Sequence, residues 1–234
     1  SVLGGNQMKH LTPIAHIHND FITKFGIPRQ SNLVHSVRSR IQFTERFRNP
    51  EAFRGLDTFS HLWLIWGFSQ TDRDEWSPTV RPPKLGGNTR MGVFATRSPY
   101  RPNGLGLSSV EFERIEYHSV FGPVIHVRGA DLMNNTPIYD IKPYIPFADS
   151  HPDALASFAD PAIYPVLTVE FPAHTDLPAE QTEELRRLLE QDPRPSYHDD
   201  PARFYGMIYG SMEIQFTVKG DTLTVHEMIR SQGE

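Results

Sequence analysis

Hydrophobic positions in the first two thirds of the chain repeat mostly with a period of two. Ile14, His16 and His18 alternate with Ala15 and Ile17, and Ile41 and Phe43 form a second alternating piece. Successive side chains of a strand point to opposite faces, so this pattern predicts short strands. Residues 59–68 are a nearly continuous apolar run, which predicts a central strand covered on both faces. Residues 91–96, 110–117 and 124–128 add three more strands, punctuated by Gly, Pro and Asn clusters. Many short strands at this spacing predict a closed or nearly closed β-barrel. Asn49 as N-cap with Pro50 after it predicts one short helix. Residues 146–165, rich in proline and small residues, read as a linker. Beyond it, residues 166–171 read as a strand, and 178–191 as a helix with Leu185, Leu188 and Leu189 on one face. Residues 207–218 and 222–229 read as a hairpin across Lys219-Gly220-Asp221. The expected fold is mainly β: a barrel over 8–148, followed by a small α+β domain over 165–234. Residues 1–7, ahead of Met8, read as a remnant before a native start.

Composition narrows the picture. The chain has 234 residues, enough for a substantial core, and its 38% apolar and 22% charged content is that of a folded protein. It has no cysteine, which excludes disulfides, thiolate metal sites and cysteine nucleophiles. No apolar run approaches the ~20 residues of a membrane-spanning helix, and no charged segment leading into an apolar stretch opens the chain. A cytoplasmic protein without membrane contact is expected. The 20 prolines, against about 12 at average usage, favour loops and short strands over long helices.

The net charge of −5 argues mildly against a polyanionic partner, but its distribution argues the other way. Residues 76–110 carry five basic residues (Arg81, Lys84, Arg90, Arg97, Arg101) and no acid. Residues 21–48 carry six basic residues and one acid, whereas 149–200 carry twelve acids and three arginines. The sum therefore hides a possible anion-binding face.

Gly104-Leu105-Gly106 contains Gly-x-Gly but lacks the third glycine of a dinucleotide fingerprint, and a strand-like segment follows where a helix is required. A Rossmann site is excluded. His16 and His18, with His10 or His61, could ligate a metal, but nothing in the sequence points to a third ligand. His61 within its apolar run reads as a core histidine. No Gly-x-Ser-x-Gly elbow is present. The informative stretch is 79–109. Its prolines stiffen the loop, its glycines permit close backbone approach, and its arginines offer forks for carboxylate or phosphate. Tyr100 beside Arg101 offers a surface for a base or adenine ring. The same features also suit a rigid surface loop whose arginines pair with the acidic C-terminal part.

Several ordered motifs resemble the TrmO family of tRNA adenine N6-methyltransferases. They include Ile27-Pro28-Arg29-Gln30, Phe59-Ser60-His61-Leu62-Trp63, the run from Pro78 to Asn88, Met91-Gly92-Val93-Phe94-Ala95-Thr96-Arg97-Ser98, and Tyr139-Asp140-Ile141-Lys142-Pro143-Tyr144. Gln191-Asp192-Pro193-Arg194-Pro195 carries the match into the C-terminal part, so it spans the chain from about Met8 onward. The resemblance implies a non-Rossmann barrel enzyme that uses S-adenosylmethionine. It also implies a homodimer acting on N6-threonylcarbamoyladenosine beside the anticodon of threonine tRNA. It implies a cofactor site of Pro28, Arg29, Gln30, Ser69, Gln70, Arg97, Leu107, Asp131, Leu132, Met133 and Asn134. Arg90, Arg101 and Asn103 are the expected tRNA contacts, the loop arginines being taken as solvent-exposed. Four positions at three sites depart from the family pattern. Gly104 stands for a proline, Asn134-Asn135 for Asp-Gly, and Ser69 for a common histidine.

The chemistry sets further expectations. N6 is a weak nucleophile, because its lone pair is delocalised, and it must lose a proton. Positioning can supply up to ~7–11 kcal/mol, and an acceptor near N6 would act as general base. Asp131, Asp140 and His61 are candidates for that base by residue type. Arg97 and Arg29 suit the cofactor carboxylate or a substrate phosphate, while Asn88 and Asn103 suit adenine edges or loop-capping turns. Two other classes remain open: a non-catalytic RNA-binding barrel, and a metal-dependent hydrolase built on His16 and His18.

Overall fold

The computed structural model describes residues 10–19, 38–68, 76–160, 166–194, 200–209 and 212–230. Six strands form a closed barrel: β1 (Ala15–His18), β2 (Arg38–Phe43), β3 (His61–Gly67), β6 (Leu105–His118), β7 (Gly122–Arg128) and β8 (Pro137–Pro143). Their order around the wall is β1-β2-β7-β6-β3-β8, and every neighbouring pair is antiparallel. Closure leaves no unpaired edge. Alternation places Ala15, Ile17, Ile41, Leu62, Leu64, Val110, Ile125, Val127 and Ile138 inside, all fully buried. A two-stranded ribbon, β4 (Thr79–Val80) with β5 (Met91–Gly92), lies between β3 and β6 in sequence.

The registers fix which strand ends meet. His18, Arg38, Gly67, Leu105, Arg128 and Pro137 all fall at one rim. The far end is plugged. After β2 the chain makes 3-10 turns at Glu45–Phe47, Pro50–Phe53 and Leu56–Thr58. Asn49 caps the second turn by accepting from the Glu51 N–H at 3.0 Å. The turn buries Phe53, whose ring meets Phe43 edge-on at 4.7 Å. Phe47 and Leu56 pack against the same core.

A second core gathers around a sheet of order β10-β11-β12-β9, formed by β9 (Thr168–Glu170), β10 (Tyr205–Tyr209), β11 (Met212–Lys219) and β12 (Thr222–Arg230). Helix α2 (Ala179–Glu190) buries Leu185, Leu188 and Leu189 in that core, as its spacing predicts. Arg186 of α2 donates to the Val169 carbonyl at 2.6 Å, and Tyr209 donates to Glu184 at 2.8 Å, which ties helix to sheet.

The main β reading holds, with four local corrections. The 59–68 run is a barrel wall rather than a doubly covered strand: Leu62, Leu64 and Trp66 face inward, while His61, Trp63 and Ile65 lie half-buried outside. Residues 91–96 give only β5 and a 3-10 turn, Val93–Ala95, because Thr96 turns its hydroxyl back onto the Val93 carbonyl. The expected short helix after Asn49 is present as a 3-10 helix, capped by Asn49 and opened by Pro50. Residues 207–218 are two antiparallel strands, not one. The expected linker begins with a short helix, α1 (Pro146–Asp149), and Trp63 of β3 donates to Asp149 at 2.8 Å, tying α1 to the barrel. Strand β8 went unread: proline closes both of its ends, and its outward positions Asp140 and Lys142 are charged.

Candidate active site

The rim opposite the plug gathers the connections that carry the expected site residues. Segment 93–104 leads into β6, and segment 129–136 joins β7 to β8. Residues Pro28, Arg29, Gln30, Ser69 and Gln70 lie outside the described residues, in the stretches that follow β1 and β3.

Segment 129–136 is held from beneath and from the side. Trp66 Nε1 donates to Ser108 Oγ at 3.0 Å, and Ser108 Oγ donates to Asp131 Oδ1 at 2.6 Å. Ser108 is buried, so this chain of bonds aims the Asp131 carboxylate from inside the wall. Trp66 has room because its neighbour is Gly106: a Cβ there would lie 2.3 Å from the indole. Asn19, just past β1, grips the other flank. Its side chain donates to the Leu132 carbonyl at 2.8 Å, and its N–H donates to Asn134 Oδ1 at 3.0 Å. Thr136 donates through its hydroxyl to the Met133 carbonyl at 2.7 Å. The Leu132 side chain is fully buried in the barrel core, which leaves its backbone as the part that could meet a ligand.

This geometry accounts for two of the departures from the family pattern. Asn135 stands where glycine is usual and has φ 66°, a left-handed value that Asn tolerates better than most residues. Gly104 stands where proline is usual. It has φ 54°, which proline cannot adopt, and its N–H donates to the Arg101 carbonyl at 3.3 Å.

Segment 93–104 separates its arginines by role. Arg97 is exposed and makes no hydrogen bond or ion pair among the described residues. Arg101 is half-buried and donates from Nη1 to the Thr96 and Ser98 carbonyls at 2.9 and 3.1 Å. The expectation of a freely exposed Arg101 is therefore corrected: its guanidinium satisfies loop carbonyls that would otherwise lack partners. Arg90 is exposed and donates to Thr79 Oγ1 at 2.8 Å, and Asn103 is exposed. Leu107 is 58% exposed on the outer face of β6, in register with Ile65, which in turn pairs with Asp140. The described cofactor candidates thus fall in three places: Asp131–Asn134 on the segment joining β7 to β8, Leu107 on the outer face of β6, and Arg97 exposed in segment 93–104.

The base candidates separate as well. Asp131 sits at the rim. Asp140 is exposed on the outer wall, 3.7 Å from Lys142. His61 begins β3 at the plugged end, six residues from Gly67; at ~3.3 Å per residue that is roughly 20 Å away. Its Nδ1 lies 2.8 Å from Ser60 Oγ. His16 and His18 share one face of β1, as alternation requires, and no group of three or more metal-ligating side chains gathers among the described residues. Burial, then the charges of Arg40 and His16, hold the His18 imidazole below the ordinary histidine value, opposed by a hydrogen bond with Asn135. No helix among the described residues is long and apolar enough to cross a membrane.

The Trp66–Ser108–Asp131 relay and the Asn19 clamp carried no sequence signal. Their members lie 23 to 115 residues apart and no spacing rule links them.

Comparison with known proteins follows the same two-part division. The family model for the tRNA-methyltransferase O N-terminal domain matches residues 16–150, and the TrmO C-terminal domain model matches 165–231. A tRNA (adenine(37)-N6)-methyltransferase of Escherichia coli is 43% identical over 192 residues, covering 79% of this chain and 81% of that protein. A putative S-adenosylmethionine-dependent methyltransferase of Pseudomonas aeruginosa is 38% identical over 216 residues, covering 88% and 91%. The crystal structure of TrmO from Pseudomonas aeruginosa superposes with a TM-score of 0.76 at 32% identity, covering 97% of this chain and 100% of that one. Closed barrel, plugged base and loop-bearing rim place the molecule in the class of barrel methyltransferases rather than among Rossmann enzymes. The chain belongs to the tRNA-methyltransferase O family.

Proposed function

We propose that this S-adenosylmethionine-dependent enzyme methylates N6 of N6-threonylcarbamoyladenosine next to the anticodon of threonine tRNA, and that it acts as a cytoplasmic homodimer. Within this reading, residues 8–148 bind the cofactor and residues 165–234 form a small appended domain. One observation carries it. The six strand ends at the open rim bring segments 93–104 and 129–136, distant in sequence, to one end of a closed barrel whose other end is plugged.

The donor set suits the cofactor. Arg97 offers a guanidinium with no partner among the described residues for the amino-acid carboxylate. Asp131 and Asn134 offer acceptors for ammonium or ribose hydroxyls, Met133 and the Leu132 backbone line the same segment, and Leu107 offers exposed apolar surface. Pro28, Arg29, Gln30, Ser69 and Gln70 complete the assignment by motif. When bound, the cofactor supplies an electrophilic methyl group. The chain's own work is to hold donor and acceptor in line, exclude water at the rim, and accept the N6 proton. Asp131 is the base candidate that the relay orients. Arg90, Asn103 and the rest of the acid-free arm carry the RNA contacts, to which Arg101 contributes by shaping its loop.

The test is mass spectrometry of tRNA nucleosides after incubation with the protein and methyl-labelled cofactor. Label in N6-methyl-N6-threonylcarbamoyladenosine of threonine tRNA supports the reading. Saturable cofactor binding without label in any tRNA would refute it.

A further inference from the structure

Two large aromatic side chains near the rim are packed against each other yet left in solvent. Trp76 is 49% exposed and Phe94 75% exposed, and their rings stack at 6.2 Å between centroids and 19° between planes. A pair serving the core would be buried; this one keeps its outer faces open.

The backbone holds both rings in place. Thr79 pairs with Gly92 across the β4–β5 ribbon, and the Val93 N–H continues the ladder to the Pro78 carbonyl at 3.0 Å. Trp76 and Phe94 follow at the same end of the ribbon. Val93 is buried and anchors the 3-10 turn that turns Phe94 outward. On the other side, the Ser77 hydroxyl donates to the Thr79 carbonyl at 2.6 Å, and the Ser77 N–H to the Tyr100 carbonyl at 3.4 Å. The backbone beside both rings is thus hydrogen-bonded into the ribbon and the loop next to it.

The surrounding charge selects the occupant. The arm from residue 76 to 110 contains five cations and no acid, and Arg90 and Arg97, flanking Phe94 in sequence, are both exposed. Flat apolar faces set among cations suit a ligand that is polyanionic and carries π faces, which is unpaired nucleic acid. We propose that Trp76 and Phe94 form a stacking platform for an unpaired nucleobase of the RNA substrate. The proposal rests on the reading of this chain as a tRNA methyltransferase and adds to it the residues that seat the loop.

The experiment uses the full chain and four variants: Trp76→Ala, Phe94→Ala, and the ring-retaining Trp76→Phe and Phe94→Tyr. Affinity is measured for an anticodon stem-loop RNA and for a fully paired RNA of equal charge, alongside cofactor affinity, unfolding temperature and sedimentation. Each alanine variant is expected to bind the stem-loop about 5- to 150-fold more weakly, the range of one lost base–aromatic stack. Affinity for paired RNA, cofactor affinity and unfolding temperature stay near wild type, and the ring-retaining variants recover most of the loss. If wild-type protein binds the stem-loop and the alanine variants bind it equally well, the platform is overturned alone. If they also sediment as smaller species, the pair is instead a contact between two copies of the chain. If wild-type protein binds no tRNA, the enzymatic reading falls and the platform falls with it.

Discussion

Replacing Ser108 by alanine tests the relay that aims Asp131. The hydroxyl accepts from the Trp66 indole at 3.0 Å and donates to Asp131 at 2.6 Å, and Ser108 is 1% exposed. Removing it leaves the indole N–H buried without its partner, a loss of about 1–3 kcal/mol. Asp131 is half-buried and regains water, so its part is smaller. The variant should therefore unfold roughly 2–12 °C below wild type, using ~2–4 °C per kcal/mol for a chain of this size. Cofactor affinity should fall as well, by about 2- to 13-fold for one net hydrogen bond. Thermal unfolding followed by near-UV circular dichroism and calorimetric titration with S-adenosylmethionine read both quantities. Trp66→Phe provides the cycle. Because the two residues share a bond, the double variant should be less destabilised than the sum of the single ones, by at least ~0.5 kcal/mol. Strict additivity, or wild-type stability and affinity in Ser108→Ala, would refute the relay.

Arg97→Ala should weaken cofactor binding while leaving the unfolding temperature unchanged, whereas Arg101→Ala should lower the unfolding temperature because two loop carbonyls lose their donor; differential scanning fluorimetry with and without cofactor separates the two. Gly106→Ala should destabilise by about 1–3 kcal/mol in urea unfolding, since the added carbon would meet the Trp66 ring at 2.3 Å. The His18 imidazole is held below its ordinary value of 6.5, so the unfolded chain binds the proton more readily. Stability from this group is present above pH 6.5 and is lost as pH falls below it, and His18→Gln should flatten urea midpoints measured between pH 7.5 and 5.

The barrel wall was legible where burial imposes alternation, as at Ala15, Ile17, Ile41 and Phe43, whose inward placement follows from a period of two. The α2 face was legible for the same reason, with Leu185, Leu188 and Leu189 one helical turn apart. Elements with little to bury were not. Strand β8 changes face within itself: a register shift opposite Ile65 and Trp66 puts Ile138 inside and Asp140 and Lys142, of the same parity, outside. Prolines also bound it, so it resembles a loop until its partners β1 and β3 are known. Residues 91–96 look strand-like, but buried Val93 and exposed Phe94 are neighbours on a tight turn, a shape that side-chain hydrophobicity does not encode. For the site, the cationic arm was visible as composition. The division between Arg97, exposed and without a partner among the described residues, and Arg101, spent on carbonyls, depended on backbone geometry that no motif specifies.

The position of β8 in the wall has a consequence for the order in which the molecule is made. It is the last of the six barrel strands in sequence, yet it stands between β1 and β3. Until residues 137–143 emerge, the nascent sheet is open at exactly two edges, those of β1 and β3, each offering unpaired backbone groups. The rim does not exist in that interval, although the cationic arm and the Trp76–Phe94 pair have already been synthesised. Insertion of β8 across some 120 residues of intervening chain is then the step that converts an adhesive open sheet into a sealed vessel and seats the Asp131 segment, synthesised just before it, on the lip. Protection from self-association and competence to bind therefore arrive together, with one strand.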